Sequence, residues 1–297
     1  MMKVLITGAD GFTGRYVASE FKLAGAEVFG LMHQRHDVPS VDVVYEANLL
    51  DRARMLEVLR ATQPDYVVHL AAISFVAHGD VDAIYQTNVV GARNLLQAIV
   101  DAGLVPKGVL LASSANIYGN APVEVIDESV PASPANDYAV SKLAMEYMAR
   151  LYADRLPIVV VRPFNYTGVG QAGNFLLPKI VDHFRRRASV IELGNLDVAR
   201  DFSDVRMVAN CYRRLLETSG AAGGVFNTCS GRACSLLDVL RMAEEISGHS
   251  MEVRVNPAFV RANEVRVLRG SRARLEAAIG PVIDYPLEET LRWMLEA

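Results

Sequence analysis

Short runs of β-branched and apolar residues alternate along the chain with longer segments of helical period, which predicts parallel strands joined by helical crossovers. The strand-like runs are Lys3 to Thr7, Glu27 to Met32, Val41 to Glu46, Tyr66 to Leu70, Gly108 to Ser113 and Ile158 to Arg162. Between them, Arg52 to Arg60, Ala83 to Ala102 and Tyr138 to Arg155 place apolar residues three or four apart on one side. Several runs are apolar almost throughout, the pattern of strands covered by helices on both faces. After Pro163 the regularity loosens at the Gly-rich stretch Thr167 to Gly173. Ser235, followed three residues later by Asp238, predicts the start of a helix over Leu236 to Ser247, and Ser271 the start of another. The expected fold class is α/β, a doubly wound parallel sheet with a smaller α/β C-terminal domain capping its strand ends.

Composition narrows the picture. The 297 residues are 51% hydrophobic and 22% charged, enough apolar surface for one large domain or two interleaved ones. Thirty basic and 34 acidic side chains leave a net charge of −4. Neither half carries a Lys/Arg block that would track a phosphate backbone, so nucleic acid is excluded as a partner. Cys211, Cys229 and Cys234 show no C-x-x-C spacing, which predicts free thiols in a reducing cytoplasm rather than a disulfide framework or zinc site. The chain opens directly on a strand-like run, without a basic-then-apolar leader. No apolar stretch approaches the roughly 18 to 20 residues of a membrane helix. A soluble, cytoplasmic protein with no membrane partner is expected.

The first strand runs straight into Thr7-Gly8-Ala9-Asp10-Gly11-Phe12-Thr13-Gly14 and then an amphipathic segment. Gly8 and Gly11 let the backbone turn sharply and approach a pyrophosphate, Gly14 lets the helix pack close to the sheet, and the helix N-terminus offers N–H groups and a favourable dipole. The strand-loop-helix context predicts a Rossmann-type, dinucleotide-binding sheet over residues 1–164 plus about 201–227. About 165–200 and 228–297 would then form the substrate domain. After the second strand, Leu31-Met32-His33-Gln34-Arg35 lacks the acid that would hold an NAD ribose, and Arg35 could pair with a 2′-phosphate. NADP(H) is therefore favoured, with NAD(H) possible. Asn48, after the third strand, could bond the adenine, and Leu70-Ala71-Ala72 are small enough to let a cofactor lie close.

Tyr138 and Lys142 stand four apart on a predicted helix, so both project from one face. The expectation is that the Lys142 ammonium lowers the phenol pKa and makes Tyr138 a proton donor or acceptor near neutrality. The fifth strand ends in Ser113-Ser114, where a hydroxyl could bond the same substrate oxygen. His33 and His36 have no third metal-type ligand nearby, and no metal site is expected.

These features sit in segments that resemble the extended short-chain dehydrogenase/reductase family, nucleotide-sugar branch, along nearly the whole chain: T-G-A-D-G-F-T-G at Thr7, H-L-A-A at His69, N-V-V-G-A at Asn88, S-S-A-N-I-Y-G at Ser113, Y-A-V-S-K at Tyr138, R-P-F-N-Y-T-G-V-G-Q at Arg162, R-D-F-S-D-V at Arg200 and R-A-N-E-V at Arg261. The resemblance implies a catalytic group of Ser114, Tyr138 and Lys142, with Lys142 also bonding the nicotinamide ribose. It adds Leu49, Asn88 and Pro163 to the cofactor-binding residues. It places Arg200 and Arg261 at the diphosphate and nucleotide, Glu264 at the ribose hydroxyls, and Asn165 and Gln171 at the diphosphate or sugar.

Ala115 and Asn116 follow Ser114 where the branch's 4,6-dehydratases carry acids, and Asn116 replaces the Cys of the GDP-fucose synthase group, so dehydration and epimerisation beside the ketone are disfavoured. The implied activity is NAD(P)H-dependent reduction of a GDP-linked 4-keto-6-deoxy sugar, GDP-4-dehydro-6-deoxy-D-mannose giving GDP-D-rhamnose. A GDP-linked heptose, an NAD-dependent 4-epimerase reaction and a non-catalytic NADP(H) sensor stand as alternatives. By the same resemblance, the helices Ala83 to Ala102 and Tyr138 to Arg155 would form a homodimer contact.

Overall fold

The computed structural model describes residues 1–74, 79–260 and 267–297. Seven strands form one parallel sheet: β1 (Lys3–Thr7), β2 (Glu27–Met32), β3 (Val43–Glu46), β4 (Tyr66–His69), β5 (Gly108–Ala112), β7 (Ile158–Pro163) and β11 (Val225–Thr228). Their order is β11-β7-β5-β4-β1-β2-β3. The chain winds outward from β1 to β3, then returns to β4 on the other side of β1. That reversal opens a crevice at the carboxyl ends of β1 and β4, where ligands bind in doubly wound sheets.

Alternation along each strand divides the core. Val4, Ile6, Val28, Val68, Leu110 and Val161 meet α1 (Phe12–Leu23) and α7 (Val205–Glu217) through Phe21, Val208 and Tyr212. Leu5, Leu31, Val67, Val109, Leu111 and Val160 face the other way. There they meet α2 (Arg52–Thr62), α4 (Ala92–Asp101) and α5 (Asp137–Arg150) through Met55, Leu95, Leu96 and Met145. Both faces are dry, which explains why these runs read as apolar throughout.

The remaining strands are short. β6 (Val125–Ile126), β8 (Asn165–Thr167), β10 (Ala199–Asp204), β12 (Ala233–Ser235) and β14 (Val267–Gly270) make a second sheet, and β9 (Val190–Leu193) pairs with β13 (Glu252–Val255). Around them α6 (Leu176–Arg185), α8 (Leu236–Ser247) and α10 (Leu287–Glu296) close a separate apolar cluster of Ile180, Phe184, Val239, Leu291 and Met294. α9 (Ala273–Ile279) packs back on the large sheet through Leu275.

Four expectations change. The segment Ala83 to Ala102 is helical but not α-helical throughout. α3 (Val81–Tyr85) leads into a π-helix over Gln86–Gly91 before α4 begins, because the Asn88 amide is anchored outside the helix, as described below. α5 ends at Arg150, five residues short, in a run of turns. The third strand starts at Val43 rather than Val41, because Val41 N–H bonds back to the Val38 carbonyl in a turn. Ser235 caps α8 as expected, its hydroxyl accepting the Asp238 N–H at 3.0 Å, whereas α9 starts at Ala273 with no side-chain cap on its N-cap residue, and Ser271 only accepts the Ala273 N–H at 3.4 Å. Among the described residues, no helix is long and apolar enough to cross a membrane.

Candidate active site

At the carboxyl edge of the large sheet lies a cleft of about 1360 Å³, larger than a single small ligand needs. Gly8, Gly11, Phe12, Thr13 and Gly14 line it, as do Asn48, Leu49, Leu70, Ala71, Ala72, Ser114, Tyr138, Lys142, Pro163, Asn165, Gln171 and Arg200. Residues more than a hundred positions apart are thus brought to one wall system by the crossover topology.

The glycine turn has the geometry of a phosphate cradle. Gly8 has φ +69°, and a Cβ there would stand 2.9 Å from the Ala71 backbone. A Cβ on Gly14 would lie 2.1 Å from the Gly8 carbonyl oxygen. No side chain caps the N-terminus of α1, so its first N–H groups remain available to an anion. Opposite, the Thr7 hydroxyl takes the N–H groups of Leu70 and Ala71, each at 3.2 Å, and pairs with His69 Nδ1 at 2.8 Å. These bonds hold the small-residue strand end against the turn. The combination of a glycine-rich turn, an open helix N-terminus and a small-residue wall fits a dinucleotide.

His69 is fully enclosed. Burial, reinforced by the Lys142 charge, pushes its imidazole down to about 3. The unfolded chain therefore binds a proton that the folded chain refuses between pH ~6.5 and ~3, so stability present above pH ~6.5 drains away as pH falls through that window. We expect His69→Asn to remove on the order of 4 kcal/mol of this acid dependence, seen as a flatter curve of urea midpoint against pH than the wild type shows.

The proton-transfer group comes from two elements. Asn136 caps α5 by accepting the Ala139 N–H at 2.9 Å, which sets Tyr138 in the first turn and Lys142 one turn on. Tyr138 is 8% exposed and shares a hydrogen bond with Ser114. Burial pushes its phenol well above the ordinary value, the Ser114 bond opposing and Tyr166 adding to the rise. This corrects the expectation that Lys142 acidifies it. The Lys142 ammonium lies 6.0 Å from the Tyr138 ring centre and spends a 2.7 Å hydrogen bond on the Ala112 carbonyl. Lys142 is itself pushed down to about 8 by burial, against the pull of Glu146. The phenol is therefore held protonated, the form a proton donor needs.

The expected residues differ in how the structure places them. Arg35 is exposed and is not among the cleft's lining residues, where His33 stands instead. Asn88 is buried behind the wall. Its amide accepts from Ile73 N–H at 2.9 Å and donates to the Ile73 carbonyl at 3.1 Å and to Ser141 at 3.0 Å. Gln171 lines the cleft, yet its amide donates to the Tyr166 carbonyl and accepts from the Thr167 hydroxyl. Asn48 uses its carbonyl on Leu50 N–H. Arg200 reaches the cleft with Nη1 donating to the Ala199 carbonyl at 2.9 Å. Arg261 and Glu264 lie outside the described residues. Cys211 and Cys229 are buried, and burial raises both thiols. No cluster able to hold a metal occurs among the described residues.

Sequence reasoning passed over other cleft residues. Thr87 enters from the π-helix, Tyr166 stacks on Phe12 at 6.0 Å and bonds Thr13 at 2.7 Å, and Lys179 stands 4.6 Å from the Phe259 ring centre. Thr87 directly precedes Asn88, so its neighbour was the available signal. Nothing local marks the others, which meet only through tertiary packing.

Comparison with known proteins agrees with this geometry. Residues 4–229 match the NAD dependent epimerase/dehydratase family. The chain is 35% identical to GDP-6-deoxy-D-talose 4-dehydrogenase of Aggregatibacter actinomycetemcomitans, covering 94% of this chain and 92% of the relative. It is 32% identical to GDP-6-deoxy-D-mannose reductase of Pseudomonas aeruginosa, covering 99% and 96%. Among solved structures, a Burkholderia cenocepacia protein provisionally called an epimerase shares 50% identity at a TM-score of 0.94, covering 99% and 97%. RMD from Pseudomonas aeruginosa, solved with NADPH, shares 31% at a TM-score of 0.86, covering 100% and 98%. The chain belongs to the epimerase/dehydratase family, the extended short-chain dehydrogenases/reductases. It is a nicotinamide-dependent oxidoreductase of the kind that acts on nucleotide sugars.

Proposed function

We propose that the protein reduces the 4-keto group of a GDP-linked 4-keto-6-deoxy sugar with NAD(P)H, converting GDP-4-dehydro-6-deoxy-D-mannose to GDP-D-rhamnose. The observation that carries this reading is Tyr138, a buried, protonated phenol bonded to Ser114, in the same cleft as a glycine-rich turn. The relatives' names point to the same class of substrate.

Gly8, Gly11, Phe12, Thr13 and Gly14 would hold the dinucleotide's phosphates, with Leu70, Ala71, Ala72 and Pro163 along it and Lys142 at its ribose. When bound, the nicotinamide supplies the hydride that reduces the ketone carbon. Ser114 holds the ketone oxygen by its hydroxyl. Tyr138 transfers its phenolic proton to that oxygen as negative charge builds there, and the Ser114 hydroxyl bonded to Tyr138 eases the charge left on the phenol oxygen. Arg200 offers a planar fork to the substrate diphosphate, and Asn165 offers an amide. Arg261 and Glu264 keep their assignment to the nucleotide from family resemblance. Residues 1–164 with about 201–227 form the cofactor half in this reading, and about 165–200 with 228–297 the sugar-nucleotide half. NADP(H) remains favoured, since the stretch Leu31 to Arg35 at the end of β2 carries no acid. We place the enzyme in the cytoplasm as a homodimer, a reading supported by the exposed Val81, Val90, Val140, Tyr147 and Leu151 on the α3–α4 and α5 segments.

A second reading rests on the relative named GDP-6-deoxy-D-talose 4-dehydrogenase: the same ketone, with hydride on its opposite face. The deciding experiment is incubation with NADPH and GDP-4-dehydro-6-deoxy-D-mannose, with the product read by proton NMR. We expect NADPH absorbance to fall and a large coupling between the sugar's H3 and H4, both axial in the rhamno product. A small coupling assigns the talo product, and no turnover with any GDP-linked 4-keto sugar removes the substrate assignment.

A further inference from the structure

Tyr138, Lys142 and Glu146 follow one another at four-residue spacing, so α5 presents all three on a single stripe. The first two reach the cleft. Glu146 does not. It is 3% exposed and lies behind the wall, where Arg162 of β7 grips it with both arms of its guanidinium, Nε to Oε1 at 3.0 Å and Nη2 to Oε2 at 2.7 Å. The Ser113 hydroxyl donates to the same carboxylate. Arg162 Nη1 donates to the Tyr118 hydroxyl at 2.9 Å, and Tyr118 donates onward to Asn227 of β11 at 2.7 Å. Every polar arm of this buried group named here has a partner, the condition under which a buried charge pair is tolerated.

The position of the pair is informative. The end of β5 is stapled twice to α5: Lys142 takes the Ala112 carbonyl, and Glu146 takes the Ser113 hydroxyl. The next residue is Ser114. A shift of α5 against β5 would therefore move Tyr138 and Ser114 relative to each other, and the Glu146 staple is itself anchored to β7 by Arg162. We infer that the buried Glu146–Arg162 pair is a positioning device for the Ser114–Tyr138–Lys142 group, locking α5 to the end of β5 and supplying the negative charge that keeps the neighbouring lysine an ammonium. This rests on the reductase reading only for what Lys142 then does.

The charged and titratable surroundings of Lys142 are few. Tyr138 and Glu146 come from its own helix, neutral His69 from β4, and the uncharged Ala112 carbonyl from β5. Glu146 in turn faces Arg162 of β7 and Ser113. Glu146 is thus the anionic side chain acting on Lys142, and it works against a burial that has already pushed the ammonium down to about 8. Without it, the ammonium should lose its proton at lower pH.

Two variants test this. Glu146→Gln removes the carboxylate but strands Arg162, so it can unfold for reasons unrelated to the lysine. Glu146→Gln with Arg162→Met removes both charges, and replacing a whole buried pair by matched neutral groups is tolerated far better. The protein has five lysines, so 13C-lysine labelling gives a resolvable spectrum in which the signal missing from Lys142→Met identifies Lys142. Melting and NADPH affinity at pH ~6.5 establish that each variant is folded. In the paired variant we expect the Lys142 titration midpoint, and the alkaline limb of kcat/KM with it, to move down by about one unit or more. A one-unit shift would leave activity at pH ~8 roughly fourfold lower relative to pH ~6.5 than in the wild type. A paired variant that keeps the wild-type midpoint and pH profile overturns the inference, since the pair would then act on neither the position nor the charge of Lys142. If the wild type reduces no sugar nucleotide, the reductase reading falls, yet the NMR midpoint still decides this one.

Discussion

Tyr138→Phe should lower kcat by about two to four orders of magnitude while leaving NADPH affinity and melting temperature close to wild type. The phenol ring packs as a buried side chain, 8% exposed, and Phe preserves that packing. What Phe removes is the hydroxyl bonded to Ser114. Because burial holds the phenol protonated, the wild type has its proton in place when negative charge builds on the substrate oxygen. The variant must wait for water to enter an enclosed site. The loss belongs to the chemical step, so kcat and kcat/KM should fall together and KM should stay put. Stopped-flow NADPH absorbance in single turnovers separates this from slow product release. A variant within about fivefold of wild type would show that another group gives the proton, and Ser114 would be the next to replace.

Much of this site can be read from the order of residues, and the reasons are local. The glycine turn depends on backbone freedom at Gly8 and close approach at Gly14, which no other residue type supplies. The Tyr138–Lys142 stripe follows from helical period alone. The large sheet's strands announce themselves because both faces are covered, so each run is apolar end to end. Where the expectation went astray, the deciding physics was tertiary. An ammonium four residues from a phenol predicts acidification only if it stands close to the phenol oxygen and outweighs the cost of burying the phenolate. Here the sheet buries both, burial raises Tyr138, and the ammonium is drawn to the Ala112 carbonyl. The helix predicted across Ala83 to Ala102 runs on but widens to π-helix over Gln86–Gly91, where Asn88 is anchored to Ile73 and Ser141, partners remote in sequence. Gln171 lines the cleft as expected, with one hydrogen bond from each end of its amide kept within its own loop. The small sheets left little trace, since strands such as β9, β12 and β13 are three or four residues long and partly exposed.

Gly14→Ala should weaken NADPH binding by about a hundredfold or more, equivalent to about 2.7 kcal/mol, although alanine is the better helix former at that position. In an exposed helix interior the substitution would stabilise by about 1 kcal/mol. Here the added methyl would stand 2.1 Å from the Gly8 carbonyl oxygen and 2.7 Å from Ala9 Cα, both backbone atoms. No rotamer change relieves such a contact, so either α1 withdraws from the sheet or the turn opens. Gly8 cannot retreat freely: its carbonyl takes the Gly11 N–H at 3.1 Å, its N–H bonds the Leu31 carbonyl at 2.8 Å, and its Cα face lies against Ala71. The helix therefore moves, carrying away the N–H groups that would meet the pyrophosphate. Overpacking of this kind costs about 1 to 3 kcal/mol in fold stability, so Tm should drop while the protein still folds. Gly173→Ala is the control, because its Cβ meets open space at an ordinary φ, and it should leave NADPH affinity unchanged. Fluorescence titration with NADPH measures both. An unaltered Kd in Gly14→Ala would mean that the turn is not where the phosphates sit, and the dinucleotide would have to be placed elsewhere in the cleft.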